Sequence, residues 1–249
     1  MSLTIALSLG FILLFFIGMI IFNLLERRRS GYQLRRVSAF ARLSRAIGLS
    51  VEDGSRLHLS IGRGSLTGPE SASALAGLSM LERIAHRIGV SDRPPVVTSG
   101  DGALSILSRN TLKSAYKAIE EEAQYDPNAG RLSGITPFSY VAGTLPLIFD
   151  EQVSTNVIAG HFGGEVALLT DAGERSGSLV LGGTDSLPGQ AVLYATAQEP
   201  LIGEELYAGG AYLCAGGMHI ASLRVQDVFR WILVLVILLG SIAKLAGVL

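Results

Sequence analysis

The chain has very little of the residues from which soluble catalytic sites are usually built. It contains one cysteine, Cys214, so it can form no internal disulfide. A lone thiol beside glycines is packing material more often than chemistry. Four histidines, His58, His86, His161 and His219, are scattered, and no Cys or His pair has metal-ligand spacing. We therefore expect no metal centre and no bound cofactor. The nucleophile elbow G-x-S-x-G is absent, which removes the usual signature of serine hydrolysis. "GHFGGE" (residues 160–165) has the glycine content of an esterase oxyanion loop, but it has no nucleophile to serve. A G-x-x-x-x-G-K-[ST] loop is also missing, which excludes P-loop phosphoryl transfer. No catalytic residue is assigned.

Charge is scarce as well. Only 16% of the 249 residues are charged, against roughly 25% in ordinary soluble domains, and the net charge is −1. Mean hydropathy is positive. The apolar excess is concentrated in two runs. Leu3 to Leu25 is broken only by small residues and Asn23, and about 20 such residues cross the roughly 30 Å hydrocarbon core. Nothing basic precedes this run and "ERRR" follows it, the pattern of a retained anchor rather than a secretory signal. Residues 228–249 form a second run, with Trp231 at an interfacial position and Lys244 able to snorkel. The spans lack intramembrane acids, and Asn23 and Lys244 lie near span ends, which argues against a transporter or channel. Gly10, Gly18, Gly240 and Gly247 would permit close helix approach, although G-x-x-x-G is absent.

The arginines orient the chain. Arg27, Arg28, Arg29, Arg35, Arg36, Arg42 and Arg45 follow the first run, with Glu26 the only nearby acid, and Arg224 and Arg230 flank the second. The positive-inside bias places the middle of the chain in the cytoplasm and both termini outside, in a bacterial inner membrane. Segment 26–54 carries Leu34, Val37, Phe40, Leu43 and Ile47 at helical spacing. Arg35, Arg42 and Arg45 fall on the other side and Arg36 does not. Two readings stay open: a basic amphipathic helix on the anionic inner leaflet, held through Arg27, Arg28, Arg29, Arg35, Arg42 and Arg45, or a helix packed on the following domain. The basic residues sit beside the membrane runs, where lipid explains them better than nucleic acid does.

Residues 55–215 alternate between short strands and helices. Strands are expected at Leu57–Ile61, Pro95–Thr98, Arg131–Ile135, Thr155–Gly160, Ser178–Leu181 and Ala191–Thr196. Helical periodicity runs through 75–88 and 104–119, and more weakly through 137–151, 164–174 and 202–213. This alternation predicts an α/β, Rossmann-like, mostly parallel doubly wound sheet. Residues 216–227 read as a connector, with Gly216 and Gly217 as its hinge, and there is no internal repeat. "LTGPESASALAGLSMLERIA", "GHFGGEVALLTDAGER" and "LIGEELYAGGAYLCAG" resemble an uncharacterised family of bacterial membrane-anchored proteins, a domain of unknown function. The resemblance implies membrane attachment and brings no activity or site residues.

One stretch does resemble a cofactor loop. After the first strand, Gly62, Gly64 and Gly68 give G-x-G-x-x-x-G, one residue longer than the dinucleotide fingerprint. Asp101 follows the second strand, where an acid would hold ribose hydroxyls, but nearly twice as far along as usual. It also suits the N-cap of a helix starting at Gly102. Thr67, Pro69 and Glu70 fit a capping box with Thr67 as N-cap, and Glu70 would face a bound phosphate. Two such charges about 4 Å apart near a surface repel by roughly 4 kcal/mol. Gly62, Gly64 and Asp101 are thus candidate contacts for a nucleotide-like ligand. The remaining strand ends, Thr136–Ser139, His161–Glu165 and Gly183–Ser186, are rich in small and hydroxyl residues. The favoured expectation is a non-enzymatic, self-associating scaffold at the inner leaflet. A ligand-binding sensor or enzyme is the alternative.

Overall fold

The computed structural model describes residues 3–28, 34–89, 91, 93–214 and 216–245, and it divides into two compact units. Arg29, and the side chains of Arg27 and Arg28, lie outside the described part.

The first unit pairs α1 (Leu3–Arg28) with the last helix, α9 (Gly217–Leu245). Both are long and apolar enough to cross a membrane, and their apolar windows are not buried. Phe11 packs against Phe229 in a tilted pair with ring centroids 4.9 Å apart, and Gly18 lies against Val225. A Cβ on Gly217 would meet the Asn23 side-chain oxygen at 3.1 Å. These pairings run in opposite directions along the two helices, so the helices are antiparallel. Gly18 has the role its small size allows: a Cβ there would lie 3.2 Å from Val225 Cγ2, so the backbones approach closely. The expected connector 216–227 is helical from Gly217 onward, and the break falls at Gly216, whose φ is +108.

The second unit, Arg35–Cys214, is the α/β domain. It begins with α2 (Ser38–Glu52) and continues β1 (Arg56–Gly62), α3 (Ser71–Ile88), β2 (Val96–Ser99) and α4 (Gly102–Ala118). Then follow β3 (Gly130–Leu132), α5 (Pro137–Asp150), β4 (Val153–His161) and α6 (Val166–Arg175). The order ends with β5 (Leu179–Thr184), α7 (Leu187–Thr196), β6 (Glu199–Leu201) and α8 (Glu205–Tyr212). The six strands form one parallel sheet in the order β3-β2-β1-β4-β5-β6. That is a doubly wound, Rossmann-like arrangement, with its switch point between β1 and β4.

Strand alternation sorts the residues onto two cores. Leu57, Leu59 and Ile61 of β1 pack with Phe40 and Leu43 of α2, Leu81 and Ile84 of α3, and Leu112 of α4. The opposite face is closed by Tyr140 and Ile148 of α5, Leu169 of α6 and Leu193 of α7, with Phe162 after β4. The apolar face of the amphipathic segment packs on the domain. Phe40, Leu43 and Ile47 are buried, while Arg42 pairs with Glu199 and Arg35 with Glu205.

Two local expectations are corrected. Residues 191–196, read as a strand, are the last turns of α7; the sixth strand lies beyond, at Glu199–Leu201. The alternation in "AVLYAT" was misleading, because Pro188 inside the first turn starts a helix and Gly189 lets it approach Phe162. Pro200 is tolerated in β6 because that strand is an edge. The capping box at Thr67 does not form either. Turns at 65–68 and 68–71 intervene, α3 starts at Ser71, and Glu70 is its N-cap residue without a side-chain cap.

Candidate functional site

A doubly wound sheet presents ligands with the crevice at its switch point, beyond the carboxyl ends of β1 and β4. The register brings Gly62 level with Ser99 of β2 and His161 of β4, so three strand ends meet there. Gly62 has φ +78, and a Cβ on it would lie 2.4 Å from the His161 carbonyl oxygen and 2.9 Å from the Phe162 ring. Its own carbonyl accepts the Gly100 N–H at 2.7 Å, and the Arg63 N–H donates to the His161 carbonyl at 3.2 Å. At Gly64 a Cβ would lie 3.1 Å from the Glu70 carbonyl oxygen and 3.3 Å from the His161 Cβ, tight but less crowded. Gly62 is required by the approach of the protein's own backbone, which leaves it without need of a pyrophosphate.

Asp101 stands one strand away and caps α4, its Oδ1 accepting the Leu104 N–H at 2.9 Å. The structure therefore brings Gly62 and Gly64 together against His161, while Asp101 is committed to a helix end.

Other carboxylates occupy the positions that anions take in this fold. Glu165, 6% exposed, enters α6 and is bound by Arg63 Nη2 at 3.0 Å. Burial alone would raise its pKa. The N–H groups of Gly163 and of Glu165 itself, together with Arg63, overcome burial and hold it below the usual carboxylate range. Arg63 reaches this partner across the crevice, its stem lying against Gly100. Asp185, after β5, receives the His161 Nδ1–H at 2.7 Å on one oxygen. Its other oxygen lies 2.8 Å from Ser73 Oγ, in the first turn of α3. A carboxylate near a helix N-terminus is favoured for the reason a phosphate is, and it leaves less room for one.

The His161–Asp185 pair was not anticipated, although both residues lie in strand-end loops singled out from sequence. They are 24 residues apart and no spacing rule joins them; only the adjacency of β4 and β5 does. A carboxylate on Nδ1 fixes the orientation of the ring. Ser73 is no nucleophile in this arrangement, since its hydroxyl faces the carboxylate rather than the imidazole. Among the described residues no three His, Cys, Asp or Glu side chains gather as metal ligands.

A second polar cluster lies inside the sheet and away from the crevice. Ser60, Tyr140, Thr98, His58 and Asn156 form a fully buried chain of hydrogen bonds. One assignment satisfies every member. Ser60 donates to Tyr140, Tyr140 to Thr98, Thr98 to His58 Nε2, and His58 Nδ1–H to Asn156. Burial lowers the His58 pKa to about 4, against partial opposition from the Asn156 hydrogen bond, and raises that of Tyr140. This cluster ties β1, β2 and β4 to α5 through side-chain hydrogen bonds.

A family model described as a domain of unknown function (DUF6754) matches residues 3–249. No curated protein and no solved structure matches the chain.

Proposed function

We propose, for a chain that belongs to the family described as a domain of unknown function (DUF6754), that it is a membrane-anchored assembly module without catalytic activity. In this reading α1 and α9 span a bacterial inner membrane with both termini outside, and the α/β domain stands at the cytoplasmic leaflet. The arginines after the first span support that orientation. The domain associates with further copies of itself.

One observation carries the reading. The corner from β3 into α5 exposes Leu132, Ile135 and Phe138, the last two at 73% and 72%. Clustered apolar exposure of this kind marks an interaction surface. It adjoins β3, a three-residue edge strand with an unpaired side. A bilayer holds every copy in the same orientation and raises their local concentration. A two-fold relation between copies then brings this corner against itself. The filled anion positions at the strand ends point the same way, since they leave the fold its architecture without its usual ligand. Mass measurement in mild detergent tests the reading. The wild-type chain should form dimers or larger species, and Ile135→Asp with Phe138→Ser should shift it to monomer. A wild-type monomer at micromolar concentration would refute it.

A second reading is favoured by the His161–Asp185 pair: a sensor or enzyme holding a small ligand at the switch point. The carboxylates there suit a neutral or cationic ligand better than a phosphorylated one.

A further inference from the structure

The end of the sheet opposite the crevice has a hollow of about 420 Å³, bounded by α2 and the amino ends of β1, β4 and β5. Its size falls within the roughly 300–1,000 Å³ of small-molecule sites. Arg42, Arg45 and Asp53 line it from α2 and the turn after it, and Ser55, Ser154 and Ser178 from the strand starts.

The bonding within this lining is uneven. Arg42 is matched, its Nη1 lying 2.6 Å from Glu199, which also receives Ser38. Ser178 is spent on the Gly173 carbonyl. Ser154 accepts from Ser55 at 2.8 Å and keeps its own hydroxyl proton. Arg45 is exposed, and among the described residues it makes no hydrogen bond or ion pair; Asp53 shares the hollow without pairing with it. The hollow thus offers one unpaired cation, one hydroxyl donor and one carboxylate in its lining. Leu49, half exposed, adds an apolar stretch to the same wall.

We propose that this hollow binds a phosphodiester whose headgroup carries a hydrogen-bond donor. Arg45 and the Ser154 hydroxyl take the phosphodiester oxygens, in charge-assisted bonds of the stronger kind. Asp53 takes the headgroup hydroxyl or ammonium, and it disfavours a doubly charged phosphomonoester. The ester-linked glycerol lies along Leu49. A membrane phospholipid and a soluble glycerophosphodiester share this chemistry. The site does not depend on self-association, because every residue lining it belongs to one copy.

Thermal unfolding of the full chain in a neutral detergent is the test, with three probes: phosphatidylglycerol, phosphatidylcholine and soluble glycerophosphoglycerol. Phosphatidylglycerol should raise the melting temperature by several degrees. Phosphatidylcholine, which has the phosphodiester but no donor on its headgroup, should do much less. Arg45→Gln should weaken the response about tenfold or more, the size of one lost charged hydrogen bond. Arg36→Gln removes the same charge from the same segment without touching the hollow, and it should respond as wild type. A shift from the lipid alone assigns a lipid ligand, and an equal, Arg45-dependent shift from glycerophosphoglycerol assigns a soluble one. The proposal is overturned if neither probe shifts the transition, if phosphatidylcholine does as well, or if Arg36→Gln loses as much as Arg45→Gln.

Discussion

Lowering the pH tests the buried chain through His58. In the folded domain His58 is neutral, because protonation would place a charge out of water and turn an acceptor facing the Thr98 hydroxyl into a donor. Its pKa is about 4 in the fold against 6.5 for a free imidazole. Between these values the unfolded chain binds the extra proton and the folded one does not, so stability falls as pH falls. Above pH 6.5 the group contributes no pH dependence, and below about 4 the loss is complete. At 1.36 kcal/mol per pH unit the gap amounts to about 3 kcal/mol. For a domain of this size that lowers the melting temperature by about 6–12 °C. The assay is thermal unfolding in mild detergent at several values from pH 7 to pH 4, for wild type and His58→Gln. The variant should be less stable at pH 7 by about 1–3 kcal/mol, because it breaks a buried network. Its decline with pH should be shallower by the amount assigned to His58. Parallel declines in the two proteins would refute the reasoning, since every other group titrates alike in both.

Three further outcomes follow from the crevice. Gly62→Ala should destabilise the domain by about 3 kcal/mol or more, because it adds a positive-φ penalty to a Cβ 2.4 Å from a carbonyl oxygen. Gly164→Ala, with nothing within 4 Å of its Cβ position, should change stability by about 0.5 kcal/mol or less in the same melting experiment. Millimolar ATP or NAD should leave the melting temperature unchanged, because Asp101, Glu165 and Asp185 already stand at the helix starts; a stabilisation by either would show that those starts accept phosphate.

Much of the fold was legible in the chain because it rests on local patterns. Leu57, Leu59 and Ile61 alternate into one core, and Leu81 and Ile84 repeat at helical spacing into the same one. Asp101 announces the start of α4 from sequence alone. The errors came where one local signal opposed another. In "LPGQAVLYAT" the helix-starting proline outweighed the β-branched alternation, and at "TGPE" the turns before α3 outweighed a sequence that fits a capping box. The crevice was legible only in part. Its glycines were visible, yet the reason for Gly62, the close backbone approach of β1 to β4, depends on strand order. The partners that matter there, Ser73, His161 and Asp185, come from three different βα units. Pairings of that range are set by topology, and no spacing in the sequence encodes them.

Self-association through the β3–α5 corner is tested most directly by a cross-link across the proposed two-fold axis. Cys214 is exposed and is the chain's one cysteine, so Cys214→Ser provides a thiol-free background. In that background Ile135→Cys, oxidised in the native membrane, should give a disulfide-linked dimer. Lys113→Cys, on the exposed side of α4, should not. Equal yields from the two positions, or no dimer from Ile135→Cys, would contradict the account.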